Sequence, residues 1–148
     1  MAYKVSKVNV WAADILNRPG TLARLLESLA GGGAQLEFLI SRQATARTSR
    51  VFVAPLRGTR QTRAARDAGL IPTRSMYALR IEGPDRPGLG AAVARSVAAA
   101  AINIRGLSAA NIGRRGVLYI ALETPEDAKK AAAILRRKLG GSVRTRPA

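Results

Sequence analysis

Two short stretches of this chain have the residue types of a ligand-holding loop: Asn17-Arg18-Pro19-Gly20 and Asp85-Arg86-Pro87-Gly88. In each, proline suits the first turn of a helix, where its missing N–H is not needed. Glycine lets the chain turn sharply and lets a ligand approach the backbone. The N–H groups that follow have no intrahelical partner. They point outward at the positive end of the helix dipole, which favours a carboxylate. The Asn or Asp two residues before the proline can accept a hydrogen bond from an ammonium. A loop with both features suits an α-amino acid. The plain alternative is a helix start, with proline in the first turn and Asn or Asp closing an Asx-turn. A single copy favours that alternative, and two copies in matching contexts weaken it.

The elements around the loops support the match. Residues 4–12 read as a strand, 15–20 as the loop and 21–31 as a helix, with Leu22, Leu25, Leu26 and Leu29 along one face. Gly31-Gly32-Gly33 stops that helix. A strand over 34–43 follows, with Leu36, Phe38 and Ile40 on one face, then a strand over 50–56. A second helix over 58–68 has a thin apolar face of Ala64, Ala65 and Ala68, and 70–73 is a short strand whose Pro72 suits only an edge. The order then repeats: strand 75–82, helix 88–101 with Leu89, Val93 and Val97 on one face, strands 102–112 and 117–123. A helix capped by Thr124 with Pro125 in its first turn comes next, and 142–144 is the last strand. Each half therefore reads βαββαβ. That order is α+β and ferredoxin-like, an antiparallel four-stranded sheet with two helices on one face. The expected modules are 1–73 and 74–148.

The stretches NRPGTLARLLESLAGGGAQLEFLISR and PDRPGLGAAVARSVAAAAINIRGLSAANI carry a resemblance to tandem ACT domains, the small-molecule-sensing regulatory modules of amino-acid metabolism. The likeness covers nearly the whole chain and is strongest over 76–123. It implies an amino acid or similar effector held between modules, near the first loop of one and the second strand of the other. The loop positions are Asn17, Arg18, Gly20, Thr21 and Leu22 in the first half, and Asp85, Arg86, Gly88 and Leu89 in the second. The strand-start position is Asn103 in the second half and Gln35, a departure from the pattern, in the first. Asn17 and Asn103 are expected to form the tighter site, and their replacement by alanine to cost binding with little loss of fold.

Composition bounds the rest. There are 0 Cys and 0 His, which excludes disulfides, Cys/His zinc sites, and Ser-His, Cys-His and Cys-x-x-Cys mechanisms. The nine acids are easier to read as caps or surface charges than as catalysts, and Lys129, Lys130 and Lys138 fall on the polar side of a helix, so no enzyme is expected. No cofactor or metal is expected either. The net charge of +16 is spread over the chain, which favours a solvated surface first and an acidic protein partner second. A nucleic-acid platform would need aromatics on first and third strands, here Trp11, Phe52, Tyr77 and Tyr119, and the basic-Gly-aromatic motif around them is absent. No stretch reads as a membrane span or a leader peptide, so a cytoplasmic regulatory chain is expected. Its signal would pass in trans to a partner enzyme or another copy of the chain. An interaction module without a ligand is the alternative.

Overall fold

Apolar residues alternate along two sheets and line one stripe on each of four helices, and they bury two separate cores. A computed structural model of the chain describes residues 3–73 and 76–140. The order of elements is β1 (Lys4–Val8), β2 (Trp11–Leu16), α1 (Thr21–Gly31), β3 (Phe38–Gln43), β4 (Thr48–Ala54) and α2 (Gly58–Asp67). It continues with β5 (Ile71–Pro72), β6 (Tyr77–Pro84), α3 (Leu89–Ala99), β7 (Gly106–Ile112), β8 (Arg115–Leu122) and α4 (Pro125–Lys138). The sheets run β3-β4-β2-β5 and β1-β6-β8-β7, with every neighbouring pair antiparallel. The repeated βαββαβ reading is thus the observed fold, with one difference in the origin of a strand.

In the first module, Leu25 and Leu29 of α1 pack on Trp11, Val51 and Val53. Helix α2 adds little apolar bulk, since Ala65 alone on it is fully buried. It compensates by closeness. A Cβ on Gly32 would stand 2.6 Å from the Cβ of Ala64, so only glycine lets the two helices meet there. Arg60 then donates to the Gly31 carbonyl at 3.0 Å, and the Gln61 amide to the Gly33 carbonyl at 3.0 Å. These bonds occupy carbonyls that the end of α1 leaves unpaired. The expected strand 34–43 begins only at Phe38. Leu36 packs on the core from the segment before it, whereas Phe38 and Ile40 pair with Ala54 and Phe52 on the opposite face from Val51 and Val53.

The second module buries Leu79, Ile81, Val93, Val97, Leu118, Ile120 and Leu135. Its strand β7 starts at Gly106, not at 102, and Thr124 caps α4 as expected, accepting from the Asp127 N–H at 3.0 Å. The main difference lies at the N-terminus. The expected strand 4–12 is two strands, and β1 belongs to the second module, with Val5 opposite Ile81 and Val8 opposite Ala78. Three contacts hold it. The Tyr3 hydroxyl donates to the Pro84 carbonyl at 2.7 Å. The Tyr3 ring lies where any Cβ on Gly83 would be. Arg136 donates to the Val5 carbonyl at 3.0 Å. β1 takes the edge beside β6, where the last strand of a βαββαβ unit belongs. The boundary expected at 1–73 and 74–148 therefore shifts: the first module runs from Asn9 to Thr73, and the strand before it completes the second. The β-branched Val5 and Val8 favour a strand but do not identify its sheet, which is a long-range choice. The expected strand 142–144 lies outside the described residues.

Helices α1 and α3 end in the same left-handed turn with different residues. After α1 it is Gly33 at φ 87, followed by a bond from the Ala34 N–H to the Leu29 carbonyl. After α3 it is Ala101 at φ 60, followed by a bond from the Ile102 N–H to the Val97 carbonyl. An L-residue in that region costs about 1–2 kcal/mol, of which glycine's greater unfolded-state freedom cancels about 0.5–1. Ala101→Gly is expected to stabilise the chain by about 0.5–1 kcal/mol, and Gly33→Ala to destabilise it by a similar amount. Urea midpoints that move in the opposite sense would contradict the assignment of these turns.

Candidate functional site

The two proline-glycine loops share one backbone. The Asn17 N–H donates to the Arg47 carbonyl at 2.7 Å, and the Asp85 N–H to the Arg114 carbonyl at 2.8 Å. Each loop is thereby tied to the hairpin turn of its own sheet. The Thr21 and Leu89 N–H groups reach the Arg18 and Arg86 carbonyls at 3.4 and 3.2 Å. Gly20 and Gly88 are the N-caps of α1 and α3, in left-handed conformation at φ 94 and 87. The prolines therefore stand one residue before the cap, and not in the first turn as the sequence suggests. The glycines turn the chain from strand to helix, a conformation that side chains resist. A Cβ on either would meet nothing within 4 Å, so the requirement is conformational and the space above each loop is open. Neither helix has a side-chain cap or an acid in its first turn. The Thr21 and Leu89 N–H groups being taken by those carbonyls, the N–H groups that follow them in each first turn are left for an anion.

The side chains distinguish the loops. The Asn17 amide donates to the Ala46 carbonyl at 3.4 Å and accepts from the Ser49 hydroxyl at 3.3 Å. Ser49 is buried, so Asn17 joins its loop to the β3–β4 hairpin as well as facing solvent. The Thr21 hydroxyl lies 2.5 Å from the Leu16 carbonyl and 3.0 Å from the Arg18 carbonyl, with its proton directed inward. At the matching place in the other module, Leu89 is buried in the core. Leu22 is packed partly against its own core, while Arg18, Asp85 and Arg86 are exposed.

Asn17, Arg18, Gly20, Thr21 and Leu22 are thus brought together around one helix start, and Asp85, Arg86, Gly88 and Leu89 around the other. Gln35 and Asn103 are exposed in the segments that follow α1 and α3. Each of those helices has 11 residues, so about 16 Å of helix separates a loop from the polar residue of its own module. No single module assembles both halves of the expected site.

Beside Thr21 the first module has an open cleft of about 350 Å³. Thr21, Arg24 and Ser28 of α1 line it, with Asp67 at the end of α2, over an apolar floor of Ile15, Leu16, Leu25 and Ala68. Arg24, Ser28 and Asp67 were not singled out by sequence. The available signal is the spacing of Thr21, Arg24 and Ser28, a polar stripe beside the leucine stripe of α1. Asp67 joins them only through packing.

Several other candidate residues have structural partners. Asp14 pairs with Arg50 at 2.9 Å, and Glu37 meets Arg57 at 3.8 Å. Glu82 lies between Arg80 and Arg115 at 3.1 and 3.5 Å. Among the described residues, no three His, Cys, Asp or Glu are grouped to hold a metal, and no helix is long and apolar enough to cross a membrane. The aromatics do not make a base-stacking platform. Trp11 is opposite Val53 and packs in the core with the Arg66 guanidinium 5.1 Å from its ring, whereas Phe52 points to the other face of that sheet. Tyr77 and Tyr119 are divided in the same way, Tyr77 against the core and Tyr119 opposite Arg80.

The Asn17 contacts revise one expectation. Asn17→Ala removes the partner of a buried hydroxyl, so it is expected to destabilise the fold by about 1–2 kcal/mol, beyond any effect on a ligand. Asn103→Ala at an exposed position is expected to leave stability within about 0.5 kcal/mol. Denaturation of both variants without ligand checks the difference.

Residues 77–141 match the family model described as the ACT domain. No curated protein matches the sequence. Solved structures with a similar fold include protein BT0572 from Bacteroides thetaiotaomicron, with a TM-score of 0.75 and 18% identity, covering 90% of this chain and 90% of that one. The ligand-free regulatory subunit of aspartate kinase from Thermus thermophilus has a TM-score of 0.65 and 18% identity, covering 93% and 97%. E. coli aspartokinase III in complex with aspartate and ADP has a TM-score of 0.59 and 13% identity, covering 93% of this chain and 33% of that one. At these identities the structural likeness is one of fold. The family model makes residues 77–141 an ACT domain, and the structural likeness gives the chain two modules of one ferredoxin-like fold.

Proposed function

We propose that the chain is a regulatory sensor that binds a free amino acid, or a similar small carboxylate, and acts on a separate protein. The observation that carries this reading is the pair of glycine-capped helix starts. Both have open space above them and neither has an acid or a side-chain cap in the way. The ACT match over 77–141 supports the ligand class. The sequence resemblance supports the two loops, together with Asn103 and Gln35, as the residues that meet an effector. The similar chains named as regulatory subunits of aspartate kinase support a partner enzyme of amino-acid metabolism as the receiver of the signal. The net charge of +16 favours an acidic face on that partner.

An interaction module without a ligand is the second reading. It is favoured by the Asn17 amide, which already has partners within its own module. The two readings differ in a thermal-shift screen of the full chain against the twenty amino acids, since a ligand that binds only the folded state raises its melting temperature. A rise is expected with at least one amino acid, at an affinity of about 1 μM to 1 mM. Asn103→Ala is expected to weaken that binding about tenfold, the loss of one charge-assisted hydrogen bond. No shift with any amino acid would remove the sensor reading in favour of the interaction module. Unchanged affinity in both Asn103→Ala and Asp85→Ala would remove these residues from the site.

A further inference from the structure

We propose that the cleft beside the Asn17 loop, which shares Thr21 with it, is a second binding site, contained within the first module, for a zwitterionic amino acid with an aliphatic side chain. Its volume of about 350 Å³ lies at the small end of the range for ligand sites, about 300–1,000 Å³. Two opposite charges line it, Arg24 from α1 and Asp67 from α2. Neither pairs with the other, and among the described residues neither side chain has another hydrogen bond or ion pair. A cation and an anion that share a cleft without meeting leave room for a molecule that answers both.

The remaining polar groups sharpen the ligand class. The Thr21 hydroxyl donates inward to the Leu16 and Arg18 carbonyls, and the Ser28 hydroxyl donates to the Arg24 carbonyl at 3.1 Å. With their protons used, both oxygens act toward a ligand as acceptors and suit a donor such as an ammonium. Arg24 is then the cation for the carboxylate. The fields of the two helix ends have matching signs, positive at the start of α1 and negative at the end of α2. Ile15, Leu16 and Leu25 give the floor an aliphatic surface, and Leu16 is half exposed although it borders the cleft. The second module has no matching set. Counted from the two loops, Leu89 stands for Thr21 and Ala92 for Arg24. Among the described residues this set of side chains therefore belongs to the first module.

The test is a titration of the full chain, labelled with nitrogen-15, with L-leucine, 4-methylpentanoate and 3-methylbutylamine. The last two each keep the aliphatic body and one of the two charges. L-leucine is expected to move the Ser28, Ala68 and Gly69 amide signals, and each single-charge analogue to bind at least about tenfold more weakly. Arg24→Gln and Asp67→Asn change exposed side chains, and each is expected to weaken leucine about tenfold at those signals. Three results would overturn the proposal: no movement of those amides at about 10 mM leucine, equal binding of leucine and its single-charge analogues, or unchanged affinity in both variants. Movement confined to Gly88 and Asn103 would also overturn it while supporting the loop site, so the two readings fail separately.

Discussion

A backbone that must turn left-handed between strand and helix governs both modules. At Gly20 and Gly88 the chain leaves a central strand and enters a helix within four residues, which requires a positive φ that only glycine adopts at little cost. The same turn fixes the direction of the helix, and with it which stripe of leucines or valines meets the sheet. It also fills the N-cap position with a residue that has no side chain, so no side chain covers the N–H groups of the first turn. Packing and the open anion-favouring loop thus have one cause. The bonds from Asn17 and Asp85 to the hairpin carbonyls then hold the loop in place.

Within that shared frame the modules reach stability by different routes. The first has a thin core and brings its helices close through Gly32, with arginine and glutamine side chains bonded to the end of α1. The second has a fuller apolar core, into which Leu89 is drawn. That choice removes the hydroxyl that Thr21 keeps at the matching position. Close approach at one end of the α1–α2 pair goes with a cleft at the other, so the glycine contact and the cleft are two aspects of one packing arrangement.

What was legible in the sequence was local. The loops, the leucine stripe of α1 and the Thr124 cap are signals carried within a few residues, and the repeated order of strands and helices followed from them. What was not legible depended on pairing at a distance. Val5 and Val8 mark a strand equally well in either sheet, and only Ile81, Tyr3 against Gly83, and Arg136 decide between them. The amide of Asn17 reads as a free ligand group until Ser49 and Ala46 are brought beside it. Asp67 is one more acid at a helix end until α2 is set next to α1.

The placement of β1 has a mechanical consequence. The chain leaves the second module from β1 and returns to it in β6, and these are adjacent strands with Val8 opposite Ala78. The first module is therefore an insertion with its two ends gathered, closed by the bond from the Thr73 N–H to the Val10 carbonyl at 2.9 Å. It is held by two tethers, where modules in simple succession have one. Any force that spreads those ends acts as a peeling load on the β1–β6 ladder.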